Sequence, residues 1–150
     1  MIFEFERDFA GTMRCIPMVV RFNLDQCGIK LSLKQWSRFG REKRAELAQT
    51  LCLTEDQIQA FRDELIALIE AQTGQIVVYL QPEPNLPWDS PTRVPDQLQE
   101  FAISSGIHAV EWGAWLRLTR LQRFALYKLT RASHGNDNFA PALKEFGLMS

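Results

Sequence analysis

Apolar residues recur along this chain at helical spacing, most clearly between residues 55 and 72. There Ile58, Phe61, Leu65, Leu68 and Ile69 form a single stripe. Thr54-x-x-Gln57 makes a capping box ahead of it. Glu55 and Asp56 sit where the helix dipole favours acids, and Gly74 follows the end. A second helix is predicted over residues 120–132, with Thr119-x-x-Gln122 capping its start and His134-Gly135 as its stop. Shorter helices are predicted on weaker signals. One is opened by Pro17 and ends at Gly28, although Val19-Val20 would also suit a strand. Ser32 caps another through Phe39, and Gly40 separates it from one running to about Thr50. Others run from Pro95 to Ser104, from Trp112 to Leu118, and from Asn138 to Phe146. In the last of these, Pro141 fits only the first turn and Gly147 lies just past the end.

Residues Gln75–Val94 break this pattern. Ile76-Val-Val-Tyr-Leu80 has the composition of a strand, but Pro82, Pro84, Pro87 and Pro91 follow. A single short strand with no visible partner is expected to be extended coil, a linker wrapping between halves and pinned by Trp88. The halves themselves look alike. Trp-x-Arg-apolar-x-Arg-x-x-Arg-x-x-Leu occurs as Trp36, Arg38, Phe39, Arg41, Arg44, Leu47 and, 79 positions later, as Trp115, Arg117, Leu118, Arg120, Arg123, Leu126. Five of these twelve positions are identical, where composition alone would give about one. Allowing an indel of one residue, Pro17 matches Pro95, Gly28-Ile29 matches Gly106-Ile107, and Phe61 and Leu65 match Phe139 and Leu143. The expected fold is all-α: one helical domain over residues 1–150. Its two similar halves, about 17–73 and 95–148, are joined by a proline-rich extended crossover at about 75–94.

Composition adds a modest amount. At 150 residues with 46% hydrophobic content, four Trp and ten Phe, the chain can bury a core and is not of disordered type. The net charge of −1 hides strong segregation. Residues 30–44 carry +5, residues 55–70 carry −4, and residues 117–131 carry five cations and no acid. Met1-Ile-Phe-Glu-Phe-Glu-Arg-Asp8 has no uninterrupted apolar stretch, which argues against a signal peptide, and no later run approaches a membrane span. Three widely spaced cysteines, Cys15, Cys27 and Cys52, then read as reduced thiols in a cytoplasm.

Candidate chemistry is sparse. Gly40 and Thr119 occupy equivalent positions suited to a helix N-cap, so each Trp–Arg pattern reads as a helix–turn–helix corner. Arg41 and Arg120 then open a helix against its dipole, at a cost of about 0.3–1 kcal/mol, which calls for compensation. Either they staple carbonyls that end the preceding short helix, or they form a pair of anion-receptive corners. Along the second long helix Arg120, Arg123, Phe124, Tyr127, Lys128 and Arg131 share a face. Leu121, Ala125 and Leu129 on the other side suffice to dock it. This basic stripe with two aromatics is the candidate partner-binding surface, suited to an acidic protein face. Alternatively its rings are half-buried and its cations merely solvated. A nucleic-acid-binding module is a further alternative, against which the near-zero net charge and missing motifs weigh. Cys15, Cys27, Cys52 and His134 offer a metal- or cofactor-handling alternative, but they lack the paired spacing of a metal clamp. His134 is otherwise explained as complementing a helix end, and His108 has no evident partner. No phosphate-binding loop, dinucleotide fingerprint, zinc-protease motif or nucleophile elbow appears. Neither a catalytic residue nor a cofactor is expected.

Two longer blocks carry more information than these motifs. Arg14-Cys-Ile-Pro-Met-Val-Val-Arg-Phe-Asn-Leu-Asp-Gln-Cys-Gly-Ile-Lys-Leu-Ser-Leu-Lys-Gln-Trp36 resembles the opening of the nitrate reductase-associated protein family. Gln122-Arg-Phe-Ala-Leu-Tyr-Lys-Leu129, Ser133-His134 and Phe139-x-x-Ala-Leu-Lys-Glu-Phe-Gly-Leu148 are similar to its closing segment; the proline-rich middle matches poorly. The resemblance implies a non-catalytic accessory or maturation protein whose partner is assimilatory nitrate reductase, a molybdenum-cofactor enzyme with an iron–sulfur centre. It assigns no ligand or catalytic residue to this chain.

Overall fold

In a computed structural model, which describes residues 1–81, 83, 85–131 and 136–149, the chain is mainly helical. It forms two compact units, Met1–Pro82 and Glu83–Ser150.

The first unit begins with a 3₁₀ turn at Glu4–Glu6 that runs into α1 (Arg7–Ala10). Next comes α2 (Met18–Cys27), with extended Pro17 as its N-cap and left-handed Gly28, φ 74°, as its stop. Pro17 offers no side-chain acceptor to the open end of the helix. Glu6, 1% exposed, does this instead: one carboxylate oxygen accepts the Met18 N–H at 3.1 Å. Val19 and Val20 are therefore helical and wholly buried, and α2 packs against the long helix α5 (Glu55–Thr73). Between them lie α3 (Leu33–Arg38) and α4 (Arg41–Ala48). The capping box of α5 forms as its sequence predicts, with Gln57 N–H donating to Thr54 Oγ1. The Ser32 cap of α3 proves to be a capping box too, with Gln35 N–H donating to Ser32 Oγ. Phe61, Leu65 and Ile69 are the buried stripe of α5, with Ile58 and Leu68 half-buried beside them.

The expectation of plain coil at Ile76–Leu80 needs correcting. Val78–Tyr79 is a short strand, β2, pairing antiparallel with β1 (Ile29–Lys30) in the register Ile29↔Tyr79 and Lys30↔Val78. The Leu80 N–H extends the ladder to the Gly28 carbonyl. The partner strand is two residues long and begins where left-handed Gly28 turns the chain out of α2. It is too short to show an alternating pattern.

The second unit opens with a 3₁₀ turn at Pro87–Asp89, followed by α6 (Asp96–Ser104) and α7 (Trp112–Leu116). Then come α8 (Arg120–Arg131), a 3₁₀ turn at Asn136–Asn138, and α9 (Phe139–Glu145). Pro141 falls in the first turn of α9, where its missing N–H costs no hydrogen bond. Helix α8 is central to this unit, packing against α6, α9 and the Pro87–Asp89 turn. Leu121, Ala125 and Leu129 are buried as expected. Phe124, Ala125 and Leu126 are fully so, and Tyr127 is 7% exposed. The apolar surface of α8 is thus wider than its leucine stripe, because the 3₁₀ turn covers the flank that carries Phe124. The stop expected at His134-Gly135, the Ser133-His134 pair, and Pro82 and Pro84 of the linker lie outside the described residues.

Candidate functional site

The duplicated pattern produces two corners that are wired differently. In the first, Trp36 is wholly buried and its indole N–H donates to the Met13 carbonyl at 2.7 Å. Arg44 Nη1 donates to the same oxygen at 2.9 Å. Met13 has φ 62°, a left-handed conformation costing a non-glycine residue about 1–2 kcal/mol. Two donors on one carbonyl hold it there. A carbonyl staple therefore exists, but Arg44 makes it, to the N-terminal segment. Arg41, where a staple was expected, is exposed.

In the second corner the equivalent arginines turn to a carboxylate. Arg120 donates from Nε and Nη2 to the two oxygens of Asp89, at 3.4 and 3.0 Å. Its guanidinium carbon lies 5.3 Å from the centre of the Trp88 ring, and that ring meets Phe124 edge-on at 5.6 Å. Arg123 Nη2 lies 3.9 Å from the same carboxylate. Asp89 thus compensates the cation that opens α8 against its dipole, and Trp88 pins the proline-rich segment as its sequence suggests. Asp89 itself was not foreseen. An acid 31 residues before its partner leaves no periodic trace, and its only sequence signal is its place next to Trp88. Trp115 is buried like Trp36, yet its indole N–H finds no acceptor among the described residues.

The six candidate residues of α8 share a helix but not an environment. Phe124 and Tyr127 lie in the core, which removes the exposed rings that base stacking would need. The cations lie across them: Lys128 Nζ is 5.5 Å from the Phe124 ring centre, and the Arg131 guanidinium carbon is 5.7 Å from that of Tyr127. Arg123 is mostly covered, with a side chain 14% exposed, while Arg120 and Lys128 are half-buried and Arg131 is exposed. The outward chemistry of this face is therefore cationic, with aromatic rings beneath.

All three cysteines are free thiols, Cys27 and Cys52 buried and Cys15 partly exposed. Among the described residues no group of three or more His, Cys, Asp or Glu side chains is placed to hold a metal; His134 is outside them. Burial pushes the Cys27 thiol up from 9.0 to about 11, and Cys52 is raised for the same reason. Cys27 donates to the Leu24 carbonyl and Cys52 to that of Gln57, as small buried hydrophobes do. Native alkylation near about pH 8 should accordingly label Cys15 first, with Cys27 and Cys52 reacting on unfolding, read by mass spectrometry. Labelling of Cys27 as fast as Cys15 would contradict this burial. The stability linked to the neutral Cys27 thiol is full below pH 9.0, the unfolded value. It is lost as pH rises towards about 11, because the unfolded thiol ionises first.

No described helix is long and apolar enough to cross a membrane. No curated protein and no solved structure matches the chain. Residues 2–146 match the model of one family, described as conserved nitrate reductase-associated protein.

Proposed function

The chain belongs to the conserved nitrate reductase-associated protein family, and from that premise we propose that it is a non-catalytic accessory or maturation protein. On this reading it binds assimilatory nitrate reductase in the cytoplasm and supports nitrate assimilation. The observation that carries the proposal is the extent of the family match, which spans nearly the whole chain. The contact we assign to it is α8, where Arg120, Lys128 and Arg131 face outward and Arg123, Phe124 and Tyr127 lie beneath them. Asp89 holds the two arginines nearest the helix start, and Phe124 and Tyr127 support the cations above them. Lys128 and Arg131 are the tips offered to an acidic face of the reductase. Complementary charge of this kind speeds encounter and fixes orientation, and salt weakens it.

Co-purification of the reductase with the tagged full-length protein tests the role. The reductase should be enriched, and deletion of this protein should impair nitrate reduction. If neither holds, the role is wrong. The surface is tested separately by Lys128→Glu with Arg131→Glu. Both cations stand over the buried Phe124 and Tyr127 rings, so the melting temperature is measured alongside; in the folded variant binding should fall by about tenfold or more. Undiminished binding by that variant would move the contact elsewhere.

We also infer that the two units are copies of one helical plan within a single domain, joined by the proline-rich segment. Support comes from the order of elements. Helices begin at Met18, Leu33 and Arg41 in the first unit and at Asp96, Trp112 and Arg120 in the second, offsets that follow the sequence repeat.

A further inference from the structure

A small cleft in the first unit lies outside this surface and is lined by Lys34, Gln35, Arg38, Thr73 and Gln75, with a volume of about 90 Å³. That is room for one small polyatomic ion in place of a few waters. Its hydrogen-bonding capacity is one-sided. The Gln35 side-chain oxygen is engaged by the capping box of α3, where it accepts the Ser32 N–H at 3.0 Å. This fixes the amide so that its NH2 group points the other way, donating to Gln75 Oε1 at 3.0 Å. The Gln75 oxygen is engaged in turn, and the NH2 group of Gln75 is a further donor. Thr73 Oγ1 accepts the Gln75 N–H and donates to the Ile69 carbonyl. Each side-chain oxygen on the lining thus already accepts one internal hydrogen bond, while amide N–H groups, an ammonium and a guanidinium remain as donors.

The charges point the same way. Lys34 and Arg38 stand four residues apart on α3, where like charges face and repel each other. Both are exposed, and among the described residues neither is ion-paired. No acid lines the cleft. A ligand that only accepts hydrogen bonds and carries negative charge would relieve the repulsion and meet the free donors at once.

We propose that this cleft binds a small oxyanion, held between Lys34 and Arg38 on a floor formed by the Gln35 and Gln75 amides. The same chemistry is offered by a free inorganic anion of the size of nitrate and by the carboxylate of an acidic side chain. The proposal is independent of the accessory role assigned above and of its surface on α8.

The test follows the side-chain amide signals of Gln35 and Gln75 by NMR in the full-length protein. Sodium chloride is replaced stepwise by sodium nitrate, or by sodium acetate, at constant ionic strength. Saturable shifts confined to these residues are expected, with a dissociation constant of about 1–10 mM. Nitrate binding more tightly than acetate identifies the free inorganic source; acetate binding as well or better identifies the carboxylate source. Lys34→Gln with Arg38→Gln should weaken binding by about tenfold or more at an unchanged melting temperature, with the two single variants falling between. Absence of saturation in both anions, or undiminished binding by the double variant, would overturn the proposal.

Discussion

Trp36→Ala should destabilise the protein by about 3–5 kcal/mol, the range for truncating a large buried aromatic. The side chain is wholly buried, and its indole N–H is one of two donors holding the left-handed Met13 in place. A pair of smaller changes separates packing from hydrogen bonding. Trp36→Phe and Trp115→Phe remove the same ring volume from two fully buried, sequence-equivalent positions. Trp36 loses a bond to the Met13 carbonyl, whereas Trp115 loses an N–H that no described residue accepts. Trp36→Phe should therefore be the costlier of the two by about 1–2 kcal/mol in urea unfolding. Equal costs would show that the Met13 clamp contributes nothing to stability.

The second large effect is expected at Asn23, which no motif marks. It lies on α2 with no exposed surface. Its side-chain NH2 donates to the Thr50 carbonyl at 2.7 Å, and its side-chain oxygen accepts the Cys52 N–H at 3.0 Å. One amide thus satisfies two backbone groups of the segment that leads into α5. Asn23→Ala strands both and opens a small void, for an expected loss of about 2–4 kcal/mol. Asn23→Leu fills the void but leaves the same two groups unpaired, so it should recover little. A leucine variant as stable as the wild type would show that volume, not hydrogen bonding, is what the site needs. Calorimetry is the suitable measurement, because one transition for the full chain is also what a single domain requires.

How far the sequence could be read depended on the distance over which each interaction acts. The Ser32 cap, the capping boxes at Thr54 and Thr119, and the glycine stops at Gly28, Gly74 and Gly147 link residues within about four positions. They appear in the sequence and form as it predicts. The candidate surface was legible only in outline. Helical spacing put six residues on one side of α8, but it could not show that the Pro87–Asp89 turn covers the Phe124 flank. Nor could it show that Arg123 lies mostly beneath other side chains.

By itself, the sequence determined the helical class, the order and approximate ends of the helices from α2 onward, the duplicated Trp–Arg pattern and the family. All of these rest on local periodicity, caps or long blocks of residue identity. Tertiary structure alone decided the pairing of β1 with β2, the two donors on the Met13 carbonyl, and the Asp89 carboxylate that receives Arg120. It also placed the Asn23 amide on Thr50 and Cys52. In each case the partners lie 23 or more residues apart. Burial brings such groups together and makes them pair, because an unpaired polar group inside a core is costly, and nothing local in the chain records which partner it will meet.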